Sequence, residues 1–327
     1  MAKFVTTREF NALQASADIV TTFLQNFAGE ASANDVVGYD GVTYANYFIV
    51  RGVADGEPAE LALGGSFSFS GQPTGTIDYV SITEGGEPFY YLSDLQANPG
   101  ATVPLFLGPS QPGELHPALA ALLSGDDEIT LSSGVDYFDA GTGSDKVVYD
   151  GTRADFSVTQ GSEGQLTVTA DADAGNVDTL VNVEKLTFED GSLVFDLDSE
   201  NASFAYRIYA AAYGRTPDED GLRFWTGVLD ERGDGPPEVA DKEFVASFFL
   251  TANEFTDVYG ENPTNEEYIN KLYQNVLHRE ADQDGYDFWL GKIEEGEGRD
   301  DMLIYFTDSG ENLQNTAPDL DNGIWVL

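Results

Sequence analysis

Asp127, Asp136 and Asp145 recur at a nine-residue spacing, each two places after a glycine (Gly125, Gly134, Gly143) and two before an apolar residue (Ile129, Phe138, Val147). Carboxylates that recur in this way repel one another when brought face to face, unless a cation lies between them. Calcium takes about six to eight oxygens in flexible geometry and suits such a cage better than magnesium, which demands a tight octahedron. The chemistry on offer is therefore oxygen-based divalent cation binding, with Asp126 as a further carboxylate beside Asp127. A plainer reading makes the same residues solvated acids in ordinary β-hairpin turns.

A nine-residue unit is one short strand plus one tight turn, half a coil of a parallel β-roll. The apolar residue of each unit then points inward, and glycine accepts turn conformations that other residues avoid. The repeat covers "GDDEITLSS" (125–133) and "GVDYFDAGTGSDKVVYDG" (134–151).

The elements around it follow from periodicity. Residues 6–28 read as an amphipathic helix, with Thr6 and Glu9 at capping-box spacing and Leu13, Ala17, Val20, Leu24 and Phe27 on one face. From about 36 to 105 the pattern is β: "SFSFS" (66–70) alternates, "TIDYVSI" (76–82) is rich in strand formers, and "EGGEP" (84–88) is a hairpin turn. "GELHPALAALL" (113–123) is a short helix leading into the nonapeptides. Residues 152–198 read as further strands. Beyond "DSENAS" (198–203) the pattern turns helical.

That helical stretch contains a second repeat. "YAAAYGRTPDEDGLRFWTGVL" (209–229) matches "YQNVLHREADQDGYDFWLGKI" (273–293) at an offset of 64, pairing Arg215 with Arg279, Asp218 with Asp282, Asp220 with Asp284, Gly221 with Gly285 and Trp225 with Trp289. "FLTANEF" (249–255) answers "FTDSGEN" (306–312). Each copy reads helix, acidic turn, helix, loop, helix, and two copies make one helical domain. Asp218, Asp220, Asp282 and Asp284 are either cation ligands or, the favoured reading, helix caps and first-turn acids, with the tryptophans as core anchors. An EF-hand aligned on the loop glycine needs a bidentate acid where Gly227 and Gly291 stand.

The nonapeptides resemble RTX repeats, the calcium-binding units of bacterial proteins exported by type I secretion. In that family alternate units stack on one side of the roll. The resemblance implies that the turn at 122–127 faces the turn at 140–145, with Asp127 and Asp145 sharing a calcium, and that Asp136 lies opposite. Its partner turn should be 149–154, where the expected acid is Ala154 and Asp155 comes one place late. The consensus diglycine is eroded to "SS" (132–133) and "AG" (140–141). The flanking segments resemble the edges of short RTX regions in secreted alphaproteobacterial proteins, and the likeness spans about residues 60–198. The helical repeat resembles a bacterial domain of unknown function with a G-R-x-x-D-x-x-G-x-x-x-W signature, met as Gly214, Arg215, Asp218, Gly221 and Trp225. His278 replaces the glycine in the second copy. The closing "DLDNGIWVL" resembles an uncleaved C-terminal secretion signal, although a docked terminal strand reads the same way.

Composition bounds the function. The chain has 327 residues, no cysteine, 58 acids and 15 bases, for a net charge of −43. Disulfides and thiolate metal sites are excluded. A surface this negative repels nucleic acids and anionic lipid, and no apolar run reaches membrane-spanning length, so neither nucleic-acid binding nor membrane insertion is expected. The opening residues lack the basic-then-apolar order of a cleaved leader. His116 and His278 fall in different domains and read as surface residues. No H-E-x-x-H or G-x-S-x-G motif is present.

The expectation is an α+β multidomain protein: a helix plus β-rich domain (1–121), a short RTX-like β-roll with a strand extension (122–200), and an all-α repeat domain with its tail (201–327). Its function is expected to be that of a secreted, calcium-binding cell-surface structural protein, S-layer-like or matrix-forming, assembling with copies of itself. An adhesin that binds cell-surface polysaccharide through exposed aromatics such as "PFYY" (88–91) is the alternative. A hydrolase is the third class.

Overall fold

The computed structural model describes residues 1–7, 29–54, 57–68, 73–106, 117–161, 164–197, 199–231 and 239–327. The chain forms two compact units, Met1–Asp190 and Gly191–Leu327. Mixed α and β structure is distributed as expected, with strands dominating the first unit and helices the second. Among the described residues no helix is long and apolar enough to cross a membrane.

The first unit opens with β1 (Lys3–Thr6), β2 (Gly29–Ala33), the small pair β3 (Val36–Val37) and β4 (Thr43–Tyr44), then β5 (Asn46–Ala54), β6 (Glu57–Ser68), β7 (Thr74–Glu84) and β8 (Glu87–Ser93). Gly85 and Gly86, both at positive φ, make the two-residue turn between β7 and β8, where the sequence places a hairpin. Two helices follow, α1 (Pro99–Phe106) and α2 (Pro117–Leu122). The remaining strands are β9 (Glu128–Thr130), β10 (Tyr137–Asp139), β11 (Lys146–Val148), β12 (Phe156–Gln160), β13 (Leu166–Ala170), β14 (Val177–Val181) and β15 (Lys185–Phe188).

Within this unit the long sheet runs β15-β11-β9-β1-β8-β7-β6-β5-β2, and a second sheet runs β10-β14-β13-β12. The nonapeptide strands thus alternate between two sheets. β9 and β11 pair in parallel, with Ile129 beside Val147. β11 pairs with β15, Val147 beside Leu186, and β10 with β14, Phe138 beside Leu180. All five of these apolar side chains are fully buried.

Several expectations need correction. Thr6 ends strand β1 and is itself buried; of the stretch read as a helix over 6–28, residues 8–28 lie outside the described residues. β1 lies between β8, which it pairs with antiparallel, and β9, which it pairs with in parallel. Residues 1–121 and 122–190, expected in separate domains, therefore share one unit, while 191–200 fall in the second.

The second unit holds α3 (Glu200–Tyr213), α4 (Glu219–Asp230), α5 (Val239–Thr251), α6 (Asn253–Tyr259), α7 (Asn265–Val276), α8 (Gln283–Glu295), α9 (Arg299–Thr307) and α10 (Gly310–Thr316). Phe204, Ile208, Leu222, Phe249, Leu272 and Phe306 are among its core residues. It is not all-helical: β16 (Gly191–Val194) pairs antiparallel with β17 (Ile324–Val326). The acidic-then-apolar tail is a docked strand, because Ile324 and Val326 bury their side chains and the Leu327 N–H donates to the Pro217 carbonyl at 3.2 Å.

Candidate metal centre

The turns that precede β9 and β11 lie directly on one another. Ser124 bridges Thr142, the Gly125 N–H donates to the Thr142 carbonyl at 2.6 Å, and the Ser144 N–H donates to Asp126 Oδ1 at 2.9 Å. Gly143 permits this approach: a Cβ there would sit 2.3 Å from the Gly125 carbonyl oxygen, at a φ of 142° that L side chains rarely adopt.

The stacked acids form a ladder. Asp127 Oδ1 accepts the Ala2 N–H at 2.8 Å, Asp145 Oδ1 accepts the Asp127 N–H at 2.8 Å, and Glu184 accepts the Asp145 N–H at 2.8 Å. Asp127 is 2 % exposed and Asp145 1 %. The second oxygen of each, Asp127 Oδ2 and Asp145 Oδ2, is buried with no hydrogen-bond donor. An unsatisfied buried carboxylate oxygen costs on the order of 1–3 kcal/mol or more. Burial raises the pKa of Asp127 against the opposing Ala2 N–H. Burial likewise pushes Asp145 up to about 7, helped by the charges of Asp127, Glu184 and Asp126. The structure therefore brings Asp127 and Asp145 together, with Asp126, Gly125 and Gly143 in the same pair of turns.

Among the described residues no group of three or more His, Cys, Asp or Glu forms a side-chain metal-ligand set. Two carboxylates supplemented by backbone carbonyls are what these turns have to give an oxygen-seeking cation.

Asp136 lies on the other sheet, but its partner is not the turn at 149–154. The Asp136 N–H donates to Asp178 Oδ1 at 3.0 Å, across 42 residues of sequence. Beyond Gly151, which still accepts the Glu189 N–H, the chain leaves the ladder, forms the β12–β13 hairpin and returns by residue 176, so β14 takes the place expected for a fourth unit. Here the carboxylates are satisfied. Asp178 Oδ2 accepts the Tyr149 hydroxyl at 3.0 Å, and Asp136 Oδ2 accepts the Ser132 N–H and hydroxyl at 3.0 and 2.9 Å. Asp155 accepts from the Thr152 N–H and hydroxyl, which lower its pKa, and has no place in the stack.

Sequence reasoning missed Asp178, Glu184 and the Ala2 amide. The signal for the first two was present: "DTL" (178–180) and "EKL" (184–186) repeat the acid-x-apolar step of "DEI" (127–129) and "DKV" (145–147), without the leading glycine.

In the second unit the acids are dispersed. Asp218 and Asp282 are N-caps, accepting from the Gly221 and Gly285 N–H groups at 2.8 and 2.9 Å. Asp220 and Asp284 are exposed acids in the first turns of α4 and α8, where the helix dipole favours negative charge. The shared signature is a clamp. Arg215 pairs with Glu254 at 3.0 Å and lies over the Tyr209 ring; Arg279 pairs with Glu311 at 2.6 Å and lies over Tyr273. Trp225 packs on Phe249 and Trp289 on Phe306, which makes both tryptophans core anchors. Gly214 and His278 occupy the same left-handed position, φ 65° and 55°, which explains a glycine in the signature. His278 is exposed; His116 lies outside the described residues.

The "PFYY" aromatics do not form an exposed platform. Tyr90 is buried against Phe4 at 5.5 Å between ring centroids, and Phe89 and Tyr91 are half-buried.

Residues 246–316 match a family described as a domain of unknown function (DUF4214). That stretch runs from within α5 to the end of α10 and contains the second copy of the helical repeat. No curated protein matches the chain.

Proposed function

We propose that the chain is a calcium-binding structural protein that is exported and works at the cell surface by assembling with copies of itself. In this reading residues 122–188 are a short RTX-like β-roll interrupted by a hairpin, and calcium joins its stacked turns. The observation that carries the reading is the pair of buried oxygens without donors, Asp127 Oδ2 and Asp145 Oδ2, on adjacent turns. Calcium would be held by Asp127 and Asp145, supplemented by Asp126 and by carbonyls of the Gly125 and Gly143 turns; it supplies positive charge where the fold has concentrated negative charge. Ion binding then becomes folding free energy, scaling with ion concentration over its dissociation constant. A net charge of −43 supports the same reading, since it leaves the turns poorly folded where calcium is scarce and relieved where calcium is plentiful.

Thermal unfolding of the full chain in calcium and in chelator tests the metal assignment. The wild type gains stability with calcium. Asp127→Ala combined with Asp145→Ala gains none with calcium, whatever it loses in chelator from the Ala2 and Asp127 N–H groups left without acceptors. A double variant that still gains with calcium sinks the assignment. Electron microscopy under the same two conditions tests assembly, with ordered arrays or filaments expected only in calcium.

A further inference from the structure

Where the hairpin leaves the ladder, the fold opens a cleft of about 490 Å3, within the range of small-ligand pockets, about 300–1,000 Å3. One wall is aromatic: Tyr149 and Phe156 lie 5.0 Å apart between ring centroids. Ser132 and Ser133 face it from the turn after β9, and Asn176, Asp150 and Asp178 add to the polar lining. The Asn176 amide has a fixed sense, since its Nδ2 donates to the Ser133 carbonyl at 3.1 Å. A flipped amide would set two oxygens against each other. Its Oδ1 is consequently held as an acceptor, buried and with no protein donor.

The lining includes the acids Asp150 and Asp178 and no basic side chain. Asp178 is committed to Tyr149 and the Asp136 N–H, so its carboxylate is part of the wall. A negative lining rejects anions. An aromatic face takes C–H groups, and the Asn176 acceptor and the Ser133 hydroxyl take hydroxyl groups, while the Ser132 hydroxyl is committed to Asp136. The geometry points to a binding site for an uncharged pyranose sugar, free or as one residue of a neutral glycan. Asp127 and Asp145 do not line this cleft, so the inference goes beyond the calcium reading and does not rest on it.

Saturation-transfer NMR on the full chain, in calcium and in chelator, tests it with methyl glycosides of glucose, galactose, mannose and N-acetylglucosamine, and with choline as a cationic probe. At least one glycoside is expected to show transfer to its ring C–H protons. Phe156→Leu, which keeps an apolar side chain and removes the aromatic face, and Asn176→Ala should each weaken that binding ~10-fold, about one hydrogen bond's worth of affinity. Transfer to choline but to no glycoside, transfer to none of the probes, or binding indifferent to both cleft substitutions overturns the proposal whatever the calcium titration gives.

Discussion

Asp145 shows how the ladder couples protons to stability. Burial chiefly, with the nearby acids, lifts its pKa from 3.8 in the unfolded chain to about 7. A carboxyl with a raised folded pKa holds its proton more tightly in the fold. Without metal, stability therefore falls as the pH rises from about 4 to about 7 and levels off above. Metal-free protein should melt at a higher temperature near about pH 5 than near about pH 8, and the difference should shrink in the Asp127→Ala, Asp145→Ala variant. Calcium needs the ionised form, so its stabilising effect should grow over the same interval. A calcium increment that is flat with pH would remove Asp145 from the ligand set. Both acids were legible in the sequence, because glycine, acid and apolar residue recurred at fixed offsets. Asp178 and Glu184 were not, because each keeps only the acid-x-apolar half of the pattern and stands off the nine-residue period. Which carboxylate oxygens lack a donor depends on chain segments that no spacing rule brings together, such as Ala2 against Asp127.

At the scale of single elements, the helical repeat makes a contrasting forecast. Asp218 and Asp282 each satisfy a glycine N–H at the start of a helix. Asp218→Ala should cost about 1 kcal/mol, the usual value of an N-cap, and Asp282→Ala should lower stability in the same direction. Chemical denaturation with and without calcium checks this, and the loss should be the same in both; a loss that appears only in calcium would return these residues to the list of ligands. The caps, the tryptophan anchors and the order of helices were all readable, since two copies of one pattern lay 64 residues apart. That β16 and β17 pair with each other was harder to see. Each is three or four residues long and finds its partner about 130 residues away, and local propensity carries no information over such a separation.

For the whole molecule, β1 is the element through which the first unit holds together. Phe4 is buried between Tyr90 and Phe138, 5.5 and 4.6 Å away by ring centroids, and so touches both the antiparallel strands and the nonapeptide ladder. Phe4→Ala should cost about 3–5 kcal/mol, as large-to-small core changes do. Calorimetry should show that loss in the unfolding of the first unit while the helical unit melts as before; equal losses in both would mean that they unfold as one. The excursion between Asp136 and Asp178 carries a different lesson, about the order of events as the chain folds. Closing 42 residues instead of the 18 between Asp127 and Asp145 costs only about 0.7 kcal/mol more in chain entropy. The β12–β13 hairpin can zip within microseconds on its own, drawing the two ends of that long stretch together. β14 then arrives at a prepared slot, with one neighbour made moments before and the other waiting since the second nonapeptide turned, so the interruption acts as a timer more than as a flaw.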